Sequence, residues 1–108
     1  MNIAELAEAI GLNESEYLEL IDLLIETSNA DIAQAESAVG SADSDTATRA
    51  FHSIKGAAAN MGLTEIADLA KQGKQMARQN ALDQLSPLLQ RLRTKLDALT
   101  ELSAAKKA

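Results

Sequence analysis

His52 is the only imidazole in the chain, and there is no cysteine, so imidazole or thiol chemistry rests on that one ring. Neutral imidazole is nucleophilic near pH 7, its ordinary pKa being about 6.5, and histidine is a recognised covalent nucleophile. On a helical wheel at about 100° per residue, Ala47, Ala50, Ala57, Ala58 and Met61 gather around Ile54, while His52 falls at about 160° on the opposite side. That outer side also carries Gly56 one turn on and Ala59 two turns on, with Arg49 and Lys55 flanking. Exposed helix faces are normally long and polar, whereas this one is cut down to Gly and Ala beyond the ring. A helix-interior Gly costs about 1 kcal/mol relative to Ala and contributes nothing to a core. Its use here is to let another backbone come close. A phosphoryl group on the ring nitrogen needs cations nearby, and Lys55 is one turn away. The alternative is an inert surface histidine.

Other chemistries fail on inventory. A di-iron bundle site needs Glu-x-x-His pairs, but Arg49 stands three residues before the single His. Zinc sites of the usual N/S type lack ligands, so no metal site is expected. There is no Walker A pattern, no nucleotide-binding glycine loop and no G-x-S-x-G turn. Scattered carboxylates on helices read as a solvated face.

Charge is divided along the chain. Residues 1–48 hold eleven acids and no base, while residues 49–108 hold ten bases and five acids. Arg49 and Lys55 lie beside His52, and Lys71, Lys74 and Arg78 follow. A basic patch on a chain of net charge −6 would steer an acidic partner site. The competing reading is ordinary electrostatics between acidic and basic helices. The acidic balance argues against nucleic acid as a partner. No apolar run approaches the roughly 20 residues of a membrane span, and the N-terminus lacks a signal-peptide pattern. The lack of cysteine suits the cytosol.

The elements that must position these residues are helices. Ala (21) and Leu (16) dominate, while Val appears once and aromatics twice, which selects an all-α chain over strands. The 108 residues fit one domain. A short helix is expected over about 2–10, ended by Gly11. Asn13 and Glu16 form a capping box, with Leu12 and Tyr17 as its hydrophobic staple. The second helix is expected to run to about Val39 with Gly40 as its stop. Leu18, Ile21, Ile25, Ser28, Ile32, Ala35 and Val39 form its seam, and Leu20 and Leu24 widen it. A third helix is expected over about 45–61, capped by Asp43 or Ser44 and stopped by Gly62. Thr64 is expected to cap the fourth, in which Gly73 either permits close packing or marks a weak spot. The last begins near 82–86, with Leu82, Leu85, Leu89, Leu92, Leu96 and Leu99 inward. Ser86-Pro87 is either a cap pair or a proline in an early turn, and the tail from Ser103 is expected to fray. Short connections imply antiparallel neighbours. The expected architecture is an antiparallel up-down four-helix bundle with a short additional N-terminal helix.

The stretch His52-Ser53-Ile54-Lys55-Gly56-Ala57-Ala58-Ala59-Asn60-Met61-Gly62 resembles the motif H-x-x-K-G-[SA]-[SA]-x-x-[LM]-G of histidine-containing phosphotransfer (HPt) domains. The resemblance spans nearly the whole chain. It implies a phosphorelay intermediate in which His52 accepts a phosphoryl group from one receiver-domain aspartate and passes it to another. Lys55 would be the cation at the phosphoryl group, Gly56 the clearance for the receiver, and Gly62 the turn between the motif helices. Arg49, Ala59, Lys74 and Arg78 are the expected partner contacts. The receiver would supply Mg²⁺. The chain would be a covalent carrier, monomeric and cytoplasmic, without an ATP-binding kinase domain of its own. Its partners would be response-regulator receivers and a hybrid histidine kinase. The family usually shows Leu-Glu or an apolar-Gln pair where this chain has Gly73-Lys74, a departure that bears on any acidic or amide hydrogen bond to the imidazole. Two other readings are a phosphoacceptor module of a chemotaxis-type or hybrid kinase, and an interaction bundle without phosphoryl chemistry.

Overall fold

Local capping chemistry sets most helix boundaries in the computed structural model, which describes residues 2–108. Helix α1 spans Ile3–Ala9, and the Asn2 side chain accepts from the Glu5 amide at its start. Helix α2 spans Glu14–Ser41 and opens with the expected capping box. The Asn13 side chain accepts from the Glu16 amide at 2.8 Å, and the Glu16 carboxylate accepts from the Asn13 amide at 3.0 Å. Gly40 does not end α2. The helix runs one residue further, and Ala42 takes the left-handed conformation at φ 55°. The Asp43 amide then reaches back to the Ala38 carbonyl at 2.8 Å, so backbone hydrogen bonding overrides the usual preference for glycine at that position.

Helix α3 spans Ser44–Asn60, with Asp43 as its N-cap accepting from the Thr46 amide. Gly62 supplies the turn at φ 74°, and the Leu63 amide closes it on the Ala58 carbonyl at 2.9 Å. Helix α4 spans Thr64–Arg78. Thr64 is its first residue rather than its cap; Leu63 holds the cap position and supplies no side-chain hydrogen bond. A 3₁₀ turn at Leu82–Gln84 leads into α5, Leu85–Lys107. Pro87 therefore sits in the first turn of α5, where its missing N–H costs little. The tail does not fray. Ser103 donates to Asp22 at 2.7 Å, and Lys106 and Lys107 pair with Glu14 and Asp22 of α2.

Every described residue in regular structure is helical. Among the described residues no helix is long and apolar enough to cross a membrane. The core is a column of Leu, Ile and Ala with Tyr17 and Phe51 as its aromatics. Helix α3 packs on α2 and α4, α5 packs on α2 and α4, and α1 packs on α2. Three of these pairs, α2 with α3, α3 with α4 and α2 with α5, run in opposite directions. Tyr17, at the start of α2, donates its hydroxyl to the Met61 carbonyl beyond the end of α3 at 2.6 Å. Ser44, at the start of α3, donates to the Ala77 carbonyl near the end of α4. Glu36 pairs with Arg93, and Glu14 with Lys106, along α2 and α5. The long dimension of 41 Å is close to the length of the 28-residue α2 at about 1.5 Å per residue. Of the two residues expected to widen the α2 seam, Leu24 is buried, whereas Leu20 is 38% exposed and Leu23 beside it is 55% exposed. Asp22 and Glu36 turn towards α5, so the Leu20–Leu23 edge is the one on the α3 side of α2.

Candidate functional site

The site is built on adjacent residues of two facing helices. Phe51 is fully buried, and its ring lies against the backbone of Gly73. A methyl placed on Gly73 would stand 2.5 Å from Phe51 Cε1 and 2.6 Å from Cδ1. Gly73 is thus a close-packing position, the first of the two alternatives its sequence context left open. One residue along each helix, the polarity reverses. His52 is exposed on α3, and Lys74 of α4 brings its Nζ to 3.1 Å from His52 Nδ1. The core contact between Phe51 and Gly73 therefore fixes the spacing at which His52 and Lys74 meet.

The outer face of α3 is open as the wheel requires. His52, Gly56, Ala59 and Arg49 are exposed, and Lys55 is half-buried. A methyl on Gly56 would meet nothing within 4 Å, so the absence of a side chain there serves no contact within the chain. Met61, at the end of the motif, is buried, and its carbonyl takes the Tyr17 hydroxyl. Burial pushes the Tyr17 phenol above its ordinary pKa, which keeps it a donor.

Charge pairing separates the two electrostatic readings. Arg93, Lys95, Lys106 and Lys107 of α5 pair with Glu36, Glu65, Glu14 and Asp22. That part of the asymmetry is helix-to-helix electrostatics. Among the described residues, Arg49, Lys55, Lys71, Lys74 and Arg78 form no such pair within 4.0 Å. Arg49 acts on Asp43 from a distance. The Asp43 carboxyl lies below its ordinary pKa first through hydrogen bonds from the Thr46 hydroxyl and amide and then through the Arg49 charge. Lys71, Lys74 and Arg78 recur at spacings of three and four, so they share one stripe of α4, and Lys74 identifies that stripe as the one beside His52. Because α3 and α4 run in opposite directions, Lys71 lies towards Lys55 and Arg78 towards Arg49. Among the described residues no three His, Asp or Glu side chains are grouped to hold a metal ion.

Sequence reasoning assigned Lys74 to a partner surface and did not foresee its contact with the ring. Two signals pointed to it: Phe51-His52 and Gly73-Lys74 each set a packing residue beside a polar one, and Lys74 stands where the resemblance places an acidic or amide group beside the imidazole. The Tyr17–Met61 hydrogen bond has no local sequence signal, because its partners lie 44 residues apart and the staple pattern concerns only the Tyr17 ring.

A family model described as the Hpt domain matches residues 19–102. Among solved structures, histidine-containing phosphotransfer protein B from Pseudomonas aeruginosa PAO1 is similar, with a TM-score of 0.82 and 24% sequence identity, covering 94% of this chain and 88% of that one. A search of curated proteins found no significant match.

Proposed function

Since the chain belongs to the Hpt domain family, whose members carry out histidine phosphotransfer in phosphorelays, we propose that His52 is its phosphoacceptor and that it exchanges the group with receiver-domain aspartates. The observation that carries this is the exposed ring at the middle of α3, held from one side by Lys74, with open space over Gly56 on the same outer face. An in-line transfer needs the donor oxygen, phosphorus and acceptor nitrogen roughly collinear, so the partner must come in along the ring plane, at the nitrogen turned away from Lys74. Gly56 and Ala59 keep that approach clear. Lys55 supplies positive charge to the equatorial oxygens, where negative charge accumulates. Lys71 and Arg78, with Arg49, attract an acidic partner site, and exposed Leu20 and Leu23 offer it apolar surface on the α3 side of α2. Mg²⁺ belongs to the receiver in this reading, because the cations around His52 would repel a divalent ion. The chain is then a carrier that takes no part in ATP chemistry, acting as a cytoplasmic monomer on an antiparallel four-helix bundle to which α1 is added.

The test is incubation with a phosphorylated receiver domain. Acid-labile, alkali-stable phosphate should appear on the protein and be absent from His52→Gln. Phosphate on another residue, or equal labelling of His52→Gln, overturns the assignment.

A further inference from the structure

The contact between Lys74 and His52 has a chemical consequence for the ring. An ammonium group has three donors and no acceptor. At 3.1 Å, with Lys74 Nζ donating, His52 Nδ1 must offer its lone pair. In a neutral imidazole the other nitrogen then carries the hydrogen, and Nε2 is the nitrogen left to face a partner. A nitrogen bearing hydrogen has no free lone pair in the ring plane. Attack on phosphorus through Nε2 therefore requires the ring hydrogen to move to Nδ1, and Nδ1–H cannot accept from an ammonium. As the Nε2–P bond forms, the P–O bond to the receiver aspartate breaks and its electron pair leaves with the carboxylate. The proton then held on Nδ1 passes to solvent, Nδ1 regains its lone pair and the Lys74 hydrogen bond can re-form. The contact thus fits the ring before and after transfer, and is broken in between.

We propose that Lys74 is a positioning residue that latches His52 with its hydrogen on Nε2, slows phosphoryl exchange in both directions, and lengthens the life of the phosphohistidine. This rests on His52 being the phosphoacceptor. The lifetime effect follows from the hydrolysis step. Water oxygen bonds to phosphorus, the P–Nε2 bond breaks, and its electron pair returns to the ring. The ring leaves readily as neutral imidazole when Nδ1 has already taken a proton, and the attacking water gives up its own proton to solvent. Lys74 occupies the lone pair that must be protonated first. A Gln at this position, as the resemblance leads one to expect, could accept from Nδ1–H through its amide oxygen and would favour the attacking tautomer instead.

Two measurements test this. The first is ¹⁵N–¹H spectroscopy of the unphosphorylated ring at about pH 8.5, roughly two units above the ordinary imidazole value of about 6.5. The wild type should show the Nε2–H tautomer, Lys74→Arg should keep it, and Lys74→Gln should shift the ring towards Nδ1–H. A wild-type ring in the Nδ1–H form overturns the proposal whether or not the protein carries phosphate. The second is the phosphohistidine half-life after loading with phosphoramidate, which gives its phosphoryl group to Nε2 and releases ammonia. Lys74→Gln and Lys74→Met should shorten the half-life about tenfold, and Lys74→Arg should retain it. Equal half-lives in all four proteins overturn the latch while leaving the phosphoacceptor assignment intact. Failure to label His52 in the wild type counts against that assignment, and the tautomer measurement still decides the latch.

Discussion

Replacing Gly73 with Ala should leave the protein less stable than replacing Gly56 with Ala. Both glycines lie inside helices, so both substitutions gain the same helix propensity, about 1 kcal/mol. They differ in what the new methyl meets. At Gly56 the methyl meets no heavy atom within 4 Å beyond the backbone of its own helix turn, so the gain stands alone. At Gly73 the methyl would sit 2.5–2.8 Å from three atoms of the Phe51 ring, against about 3.5–4.0 Å for an ordinary carbon contact. The ring is enclosed in the core, 0% exposed, so relieving the contact by moving the helices apart needs a shift of something near 1 Å. Overpacking of this kind costs about 1–3 kcal/mol. Because propensity cancels between the two variants, their difference isolates that cost. With a shift of about 4–8 °C per kcal/mol for a domain near this size, Gly73→Ala should melt at least 4 °C below Gly56→Ala. Urea unfolding gives the same ranking at equal m-value. Separation of α3 from α4 should also weaken the Lys74–His52 contact, visible as a change in the ring ¹⁵N shifts. If Gly73→Ala melts at or above Gly56→Ala, Phe51 does not hold the two helices in the way described.

Three further outcomes are expected. Lys55→Ala should slow transfer from a phosphorylated receiver by about tenfold to a hundredfold in rapid-quench experiments, as loss of one charge-assisted contact implies, without abolishing it; an unchanged rate would remove Lys55 from the reacting group. Lys71→Glu with Arg78→Glu should lower the association rate with a receiver at low salt, and the deficit should shrink as added salt shortens the Debye length to about 8 Å near 0.15 M. Stopped-flow rates that show no deficit at low salt would leave the unpaired α4 cations without a docking role. Tyr17→Phe should cost about 1–2 kcal/mol by stranding the Met61 carbonyl. Because the folded Tyr17 phenol holds its proton more tightly than the unfolded one, its contribution is present below the ordinary value of 10.0 and is lost as pH rises through the higher folded value. The alkaline fall in wild-type melting temperature should therefore flatten in Tyr17→Phe.

Local chemistry made several features legible in the sequence. The capping box at Asn13, the cap at Asp43, the Gly62 turn and the buried leucine ladder of α5 each follow from residue types at fixed spacing. The position of His52 opposite the core also followed, because the wheel depends only on helix period and on which neighbours are apolar. The misses share a cause in tertiary structure. Gly40 looked like a stop, but the hydrogen bonds that end α2 are made by Ala42 and Asp43. The tail looked free, but Glu14 and Asp22 hold it from more than 80 residues away in sequence. Leu20 fitted an apolar stripe by spacing, but the stripe is narrower than the run of leucines. Lys74 could be placed on the fourth helix, but its partner depended on how that helix is aligned with its neighbour.

That alignment is determined by residues that do no chemistry. Phe51 and Gly73 fix the offset between two helices, and His52 and Lys74, one step further along each, inherit it without contributing to it. Exchange at position 74 therefore changes the group offered to the imidazole while leaving the address of that group unchanged. The scaffold behaves as a socket with interchangeable pins, in which the lifetime of a stored signal can be retuned by one surface side chain and the fold need not be solved again.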